Sequence, residues 1–264
     1  MSSDRKPRPE EAFADFFGKW MSGLQDYLPL LLSASSGPDP PEDQDHHLRA
    51  LIARLTAHHK QYYTEKWAAS SVSKGGNVFL FFSPPWMTPL ERAYSWMTGW
   101  KPSMAFKLVD ALRAAPTSSP FGRPFGIVSE EQAKGIERLR ARMRHEEDKV
   151  EGDMERQQVG MADRKMVELA RMASREGTEG EADRMVEVAM VELGAGMERV
   201  MKGGDCVRLK TLKGLLEVLS PAQGVGFLGS LTVVLLRMRE KGLKRSTSCP
   251  PLVAAVPVGG ELLP

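Results

Sequence analysis

Apolar side chains recur at steps of three and four near the start of the chain. Phe13, Phe16, Phe17, Trp20, Leu24, Tyr27, Leu28 and Leu31 all fall on one face of a helix. Pro29 is expected to bend or end that helix, and the Gly- and Pro-containing stretch 33–41 (SASSGPDPP) reads as a linker. A second stripe, Leu48, Leu51, Ile52, Leu55, His59, Tyr62 and Tyr63, predicts a second helix. Further starts are marked by a Ser or Thr followed three residues later by Glu or Gln, so that each end of the motif satisfies an amide of the other. Thr88 with Glu91, Ser129 with Gln132, Thr178 with Glu181 and Ser220 with Gln223 fit this pattern.

From Ser129 to about Ser174 no strong breaker intervenes, and Ile136, Leu139, Met143, Val150, Met154 and Met161 keep a helical spacing. One long helix of roughly 65 Å is predicted. Three more follow, near 178–202, 205–219 and 220–241, with Gly203, Gly204 and Gly242 read as C-terminal stops. Val78, Phe79, Leu80, Phe81 and Phe82 are apolar enough for a strand but have no partner run, and read as a buried connector. The segments beginning at Ala162 and Ala182 look alike, yet form no array. Residues 116–126 read as a flexible connection between two halves of the body. The fold class is all-α: a helical bundle with one long central helix and a disordered C-terminal tail. Its boundaries are a disordered N-terminus 1–9, a domain over 10–245 and a disordered tail 246–264.

Charge changes the picture little. Lys and Arg number 36 against 34 Asp and Glu, a net charge of +2 that supplies no broad field for a polyanion. Arg237, Arg239, Lys241, Lys244 and Arg245 form the most basic local cluster. There Arg237 and Arg239 read as capping the C-terminal end of an apolar helix, with a nuclear import signal as the other reading. Cys206 and Cys249 cannot build a disulfide framework, no signal peptide opens the chain, and the apolar run 225–236 is short for a membrane span. A soluble protein of nucleus or cytoplasm, with no membrane partner, is expected.

The search for chemistry finds no catalytic constellation. His47 and His58 share a side of one helix about three turns apart, too far for one ion, and His59 on the apolar stripe reads as a hydrogen-bonded core or rim histidine. Gly75 and Gly76 after Lys74 lack the spacing of a phosphate loop. The carboxylates from Glu146 to Glu155 lie among Arg and Lys of the same helix and read as a solvated face. Fifteen methionines are many for this length, and Met143, Met154, Met161, Met166, Met172, Met185, Met190 and Met197, on or beside the stripes, read as core; an adaptable pocket or partner groove is the sharper alternative.

One segment carries a family resemblance. Trp86-Met87-Thr88-Pro89-Leu90-Glu91-Arg92, then Trp96-Met97-Thr98-Gly99-Trp100-Lys101-Pro102-Ser103, describes a rigid corner anchored by three tryptophans. It resembles the signature of the Delay of Germination domain, shared with TGA-type leucine-zipper transcription factors. The first helix, His59 to Tyr63 with Lys66, the stretch from Glu146 to Arg171, and Arg208, Thr211, Leu212, Pro221, Gln223, Phe227, Leu228 and Arg237 resemble the same domain in order. The expected member is a stand-alone one, with no basic region and zipper ahead of Glu10.

The resemblance implies a non-enzymatic plant regulator of seed dormancy and abscisic acid signalling that binds other proteins. Type 2C protein phosphatases or transcription factors are the implied partners, and direct DNA binding is not expected. Alternatives are a transcriptional regulator in DNA-bound complexes and a sensor of a small apolar ligand or haem. Haem is attributed to some members through C-terminal histidines; none follows His145 here, so no cofactor, metal or catalytic residue is carried over. The signature residues Trp86, Pro89, Leu90, Glu91, Arg92, Trp96, Gly99, Trp100, Pro102 and Ser103 are expected to be structural, and Phe13, Phe16, Phe17, Trp20 and Leu24 form the candidate partner face.

Overall fold

The computed structural model describes residues 7–36, 42–114, 125–161, 171 and 179–248. Among these the secondary structure is helical and no strand occurs; an isolated bridge pairs Trp96 with Gly99. The helices are α1 (Pro9–Ser36), α2 (Glu42–Ser70), α3 (Phe79–Phe82), α4 (Pro89–Ala93), α5 (Pro102–Ala114), α6 (Glu130–Met161), α7 (Glu179–Val218) and α8 (Pro221–Ser248). A short 3-10 turn, Val72–Lys74, follows α2.

Helix α1 lies antiparallel to α2: Phe13 meets Tyr62, Trp20 stacks on His58, and Arg54 sits over Tyr27. Helix α8 packs on both, and α4 packs on α8. The other large contact is α6 along α7, again antiparallel. Gly135 faces Val218, Leu139 faces Gly214, Lys210 pairs with Glu146, and Val150 faces Gly203. Helix α5 touches α6, α7 and α8, and so joins the two groups. A single apolar cluster runs through all of it, with Leu24, Leu55, Ile136, Met143, Leu215 and Phe227 fully buried. Burying each such side chain is worth about 1.5–3 kcal/mol, which is what orders so much helix of modest intrinsic propensity.

Three of the predicted capping boxes are present. Thr88 and Glu91, Ser129 and Gln132, and Ser220 and Gln223 each exchange side-chain and backbone hydrogen bonds reciprocally. Gln132 and Gln223 also bond each other at 2.9 Å, which ties the starts of α6 and α8 together. The box at Thr178, the second half of the long helix from 162 to 170, the repeat beginning at Ala162, most of the connection 116–126 and the tail from 249 lie outside the described residues.

Several breakers predicted as stops are overridden. Helix α1 continues through Pro29 to Ser36, because Leu24 and Leu31 on either side of the proline are both held in the core. Packing there outweighs the one lost backbone hydrogen bond. Gly203 and Gly204 lie inside α7, which runs unbroken from Glu179 to Val218. A Cβ on Gly203 would meet Val150, and one on Gly204 would meet Trp96 and Arg208, each at 3.4 Å. These two glycines face packed neighbours at ordinary van der Waals distance inside the helix and do not end it. Gly242 is likewise interior to α8, and a Cβ there would overlap the Thr88 side chain. With α8 reaching Ser248, Arg237 and Arg239 are not C-terminal caps, and residues 246–248 of the expected tail are helical. The apolar connector at Phe79–Phe82 is a single helical turn with Phe81 buried.

Helix α8 over Pro221–Ser246 is long and apolar enough, at a mean hydropathy of 1.2, to cross a membrane by length and composition. Half of that stretch is buried inside the protein, as expected of a core helix.

Candidate functional site

The signature segment folds back on itself between α4 and α5. Trp96 and Gly99 exchange backbone hydrogen bonds of 2.7 and 3.1 Å across a two-residue loop in which Met97 takes φ 55°. Below this loop lies a buried group of charges that pattern reading did not single out as a unit. Asp205 of α7 accepts from Lys66 of α2 at 2.8 Å, from Arg208 at 2.6 Å and from the Trp67 indole at 2.9 Å. Lys66 also donates to the Thr98 carbonyl and hydroxyl, and Arg208 donates to the carbonyls of Trp100 and Trp96 at 2.7 and 2.6 Å. The two cations and the carboxylate are essentially inaccessible to solvent.

The corner is therefore fastened through its backbone carbonyls, by donors from two helices far away in sequence. Gly99 is needed where it stands, since a Cβ would come within 3.1 Å of the Arg208 guanidinium. Burial pulls the Lys66 ammonium down to about 8, with Asp205 acting in the opposite direction. The sequence signal was faint: Lys66 extends the stripe of Tyr62 and Tyr63, and Asp205 and Arg208 are three apart on one helix face.

The remaining signature residues divide by role. Glu91 closes the cap of α4 and accepts from Arg239 of α8, which also donates to the Trp86 carbonyl and lies over the Phe17 ring. Trp86 contacts Phe13 and Phe81 edge-on. The Trp96 indole donates to Glu151 at 2.7 Å, and Glu151 also receives Lys101, which joins the corner to α6. Pro102 is buried at the start of α5, and the Ser103 amide donates to Glu147 of α6. Trp86, Leu90, Trp96 and Trp100 are half-buried, whereas Pro89 and Arg92 are exposed.

The candidate partner face is corrected. Phe13, Phe17, Trp20 and Leu24 are buried between α1, α2 and α8, and half-buried Phe16 packs against the same core. Their stripe builds the bundle and offers no surface.

Between the corner, α1, α2 and α8 lies a cavity of about 80 Å³. Its walls are mainly aromatic and thioether: Trp20, Met21, Tyr62, Tyr63, Met87, Trp100, Met104 and Met238, with Tyr94 also among the lining residues and itself largely exposed. His59 also lines it. That side chain is buried as the pattern implies, but its Nε2 has no hydrogen-bond partner. Desolvation, helped by neighbouring His58, lowers His59 to about 4, so the ring is neutral at pH 7. His58 instead exchanges hydrogen bonds with Trp20: its Nε2 lies 3.0 Å from the Trp20 carbonyl, and the Trp20 indole donates to the His58 carbonyl. Among the described residues no three His, Cys, Asp or Glu side chains converge as metal ligands do.

A second feature lies at the start of α7. Val186, Val188, Met190 and Val191 are exposed there, as is Val159 near the end of α6. Val186 with Met190 and Val188 with Val191 place apolar side chains on two sides of the helix. From Leu193 onward the same helix enters the core. Met190 thus departs from the core reading, which Met143 and Met197 follow.

Comparison with known proteins shows the family. A family model described as "DOG1: Seed dormancy control" matches residues 27–111, a span that includes Lys66 and the tryptophan corner. The chain is 44% identical to Protein DOG1-like 4 of Arabidopsis thaliana over 89% of its own length and 94% of that protein. It is 29% identical to Protein RESPONSE TO ABA AND SALT 1 of the same plant, over 89% of this chain and 97% of that one. A more distant match, 27% identical, is the TGACG-sequence-specific DNA-binding protein TGA-2.1 of Nicotiana tabacum, covering 86% of this chain and 45% of the tobacco protein. All-helical and similar over nearly its whole length to relatives named for this family and for abscisic acid response, the chain belongs to the Delay of Germination (DOG1) family of seed dormancy control.

Proposed function

We propose that this protein is a non-enzymatic regulatory adaptor, acting in nucleus or cytoplasm without metal or haem, that holds signalling proteins through the apolar first turns of α7. The observation that carries the reading is the exposed set Val186, Val188, Met190 and Val191 on a helix whose later turns are anchored in the core. Apolar side chains left in water on both sides of one helix segment offer area to a docking partner, and the flexible Met190 side chain adapts to varied surfaces. The reading places abscisic acid signalling proteins, type 2C phosphatases among them, on this surface. Affinity purification from developing seeds, comparing the native chain with Val186→Asp/Met190→Asp, tests it: proteins held by the native chain and lost from the variant are expected, and identical sets would count against it.

A second reading, participation in DNA-bound complexes, is favoured by the match to the tobacco DNA-binding protein. Its test is an anisotropy titration against a TGACG-containing duplex and a scrambled one at near-physiological salt. The adaptor reading expects weak, salt-sensitive binding to both, since base reading requires groove contacts positioned by many phosphate contacts. Selective nanomolar binding by the protein alone would favour the second.

A further inference from the structure

We infer that the outward face shared by α6 and α7 is a docking surface for an acidic segment of another protein. Its cations come from both helices, and three observations point to this occupant.

The first is alignment. Arg138, Arg142 and Lys149 are spaced by four and seven residues, so they share one line along α6, and all three are exposed. That line flanks the row Gly135, Leu139 and Val150, which faces Val218, Gly214 and Gly203 of α7. Lys210, exposed on α7, reaches across to Glu146 at 3.1 Å, and exposed Lys213 lies about one turn further on. The antiparallel packing thus gathers on one face cations that are far apart in sequence.

The second is charge. Among the described residues Arg138, Arg142 and Lys149 form no salt bridge, and Lys213 approaches Glu217 only to 3.7 Å. Glu146 stands among these cations and is held below the usual carboxylate range, first by the hydrogen bond from Lys210 and then by Lys149 and Arg142. A carboxylate shared in this way leaves the face net positive, although the whole chain carries only +2. Carboxylates brought by a partner are favoured there.

The third is what the face lacks. No large apolar side chain is exposed over 138–149 or 206–213, and insertion into a membrane surface needs such side chains. A nucleic acid duplex carries a phosphate charge about every 1.7 Å and calls for a longer row of cations than this. A protein segment with a few Glu or Asp fits the spacing. Arg138 and Arg142 stand about 6 Å apart along the helix axis, close to the roughly 6.6 Å between alternate side chains of an extended chain. Cys206, within this face, lies about 22 Å along α7 from Val191, so this surface and the exposed valines can fail independently.

The probe is a fluorescein-labelled polyglutamate of about ten residues, long enough when extended to cover the line on α6. It is titrated by anisotropy against the full chain at low salt, where screening is weak. Saturable binding is expected. Arg138→Glu/Arg142→Glu/Lys149→Glu should weaken it by roughly tenfold or more. Arg237→Glu/Lys241→Glu/Arg245→Glu changes the net charge by the same amount at the end of α8, and should change the affinity by less than about twofold. In the unmodified protein, carbodiimide coupling joins carboxylates of the bound peptide to lysine amines as amides, and should map to Lys149, Lys210 and Lys213. That measurement stands even if a triple variant fails to fold. Absence of saturable binding, equal losses in the two variants, coupling spread evenly over all exposed lysines, or a short DNA duplex bound as tightly through this face would each overturn the proposal.

Discussion

Asp205 is the residue on which the corner depends, since it accepts from Lys66, Arg208 and Trp67 together. Asp205→Ala leaves two cations buried against each other and should destabilise the protein by about 3–5 kcal/mol. Lys66→Met differs in kind. It removes one of two cations facing one carboxylate, and Arg208 still neutralises Asp205. A loss under about 1.5 kcal/mol is expected, because an apolar side chain of similar volume avoids the desolvation of the ammonium. Urea midpoints of the two variants check the contrast, and equal large losses would mean that the Thr98 hydrogen bonds dominate.

His59 gives a pH dependence of definite sign. Its folded value, about 4, lies below the ordinary 6.5, so between these limits the unfolded chain binds more protons. The stability this group contributes is present above pH 6.5 and is lost as pH falls toward 4. Between pH 7 and pH 5 the loss is about 2 kcal/mol. Half-buried His58 is also lowered, chiefly by desolvation, and acts in the same direction. The difference between native protein and His59→Phe across this range isolates His59, and parallel pH profiles would contradict the assignment.

At the scale of elements, periodicity and caps were legible in the sequence, whereas breakers were not. The stripes of α1 and α2 and the boxes at Thr88, Ser129 and Ser220 depend on neighbours within a few residues, and each is present. Pro29, Gly203, Gly204 and Gly242 were misread because their meaning depends on what packs against them from elsewhere. A glycine at a helix crossing and a glycine at a helix end look alike in sequence. The crossing of α8 over α4 makes this testable. Gly242→Ala should drive a methyl into Thr88, disturb the cap of α4 and cost about 1–3 kcal/mol, read from the thermal or urea midpoint. An unchanged midpoint would show that α8 can shift away freely.

Across the whole molecule, the family was legible because the tryptophan corner concentrates rare residues in one segment. The surface that partners would use was not. The stripe of Phe13, Phe17, Trp20 and Leu24 has a strong amphipathic pattern, and for that reason it is consumed by the core. The exposed valines of α7 have no regular pattern to announce them, and they are visible only once the bundle shows which turns lie outside it.

The central claim is that these turns hold a signalling protein, and its most direct measurement is a calorimetric titration of the full chain against a purified type 2C phosphatase. Saturable binding is predicted, with Val186→Asp/Met190→Asp weakening it at least tenfold while changing the unfolding free energy from urea titration by no more than about 0.5 kcal/mol, as expected of exposed positions. Binding that the double substitution leaves intact, or no binding by the native chain, would contradict the account.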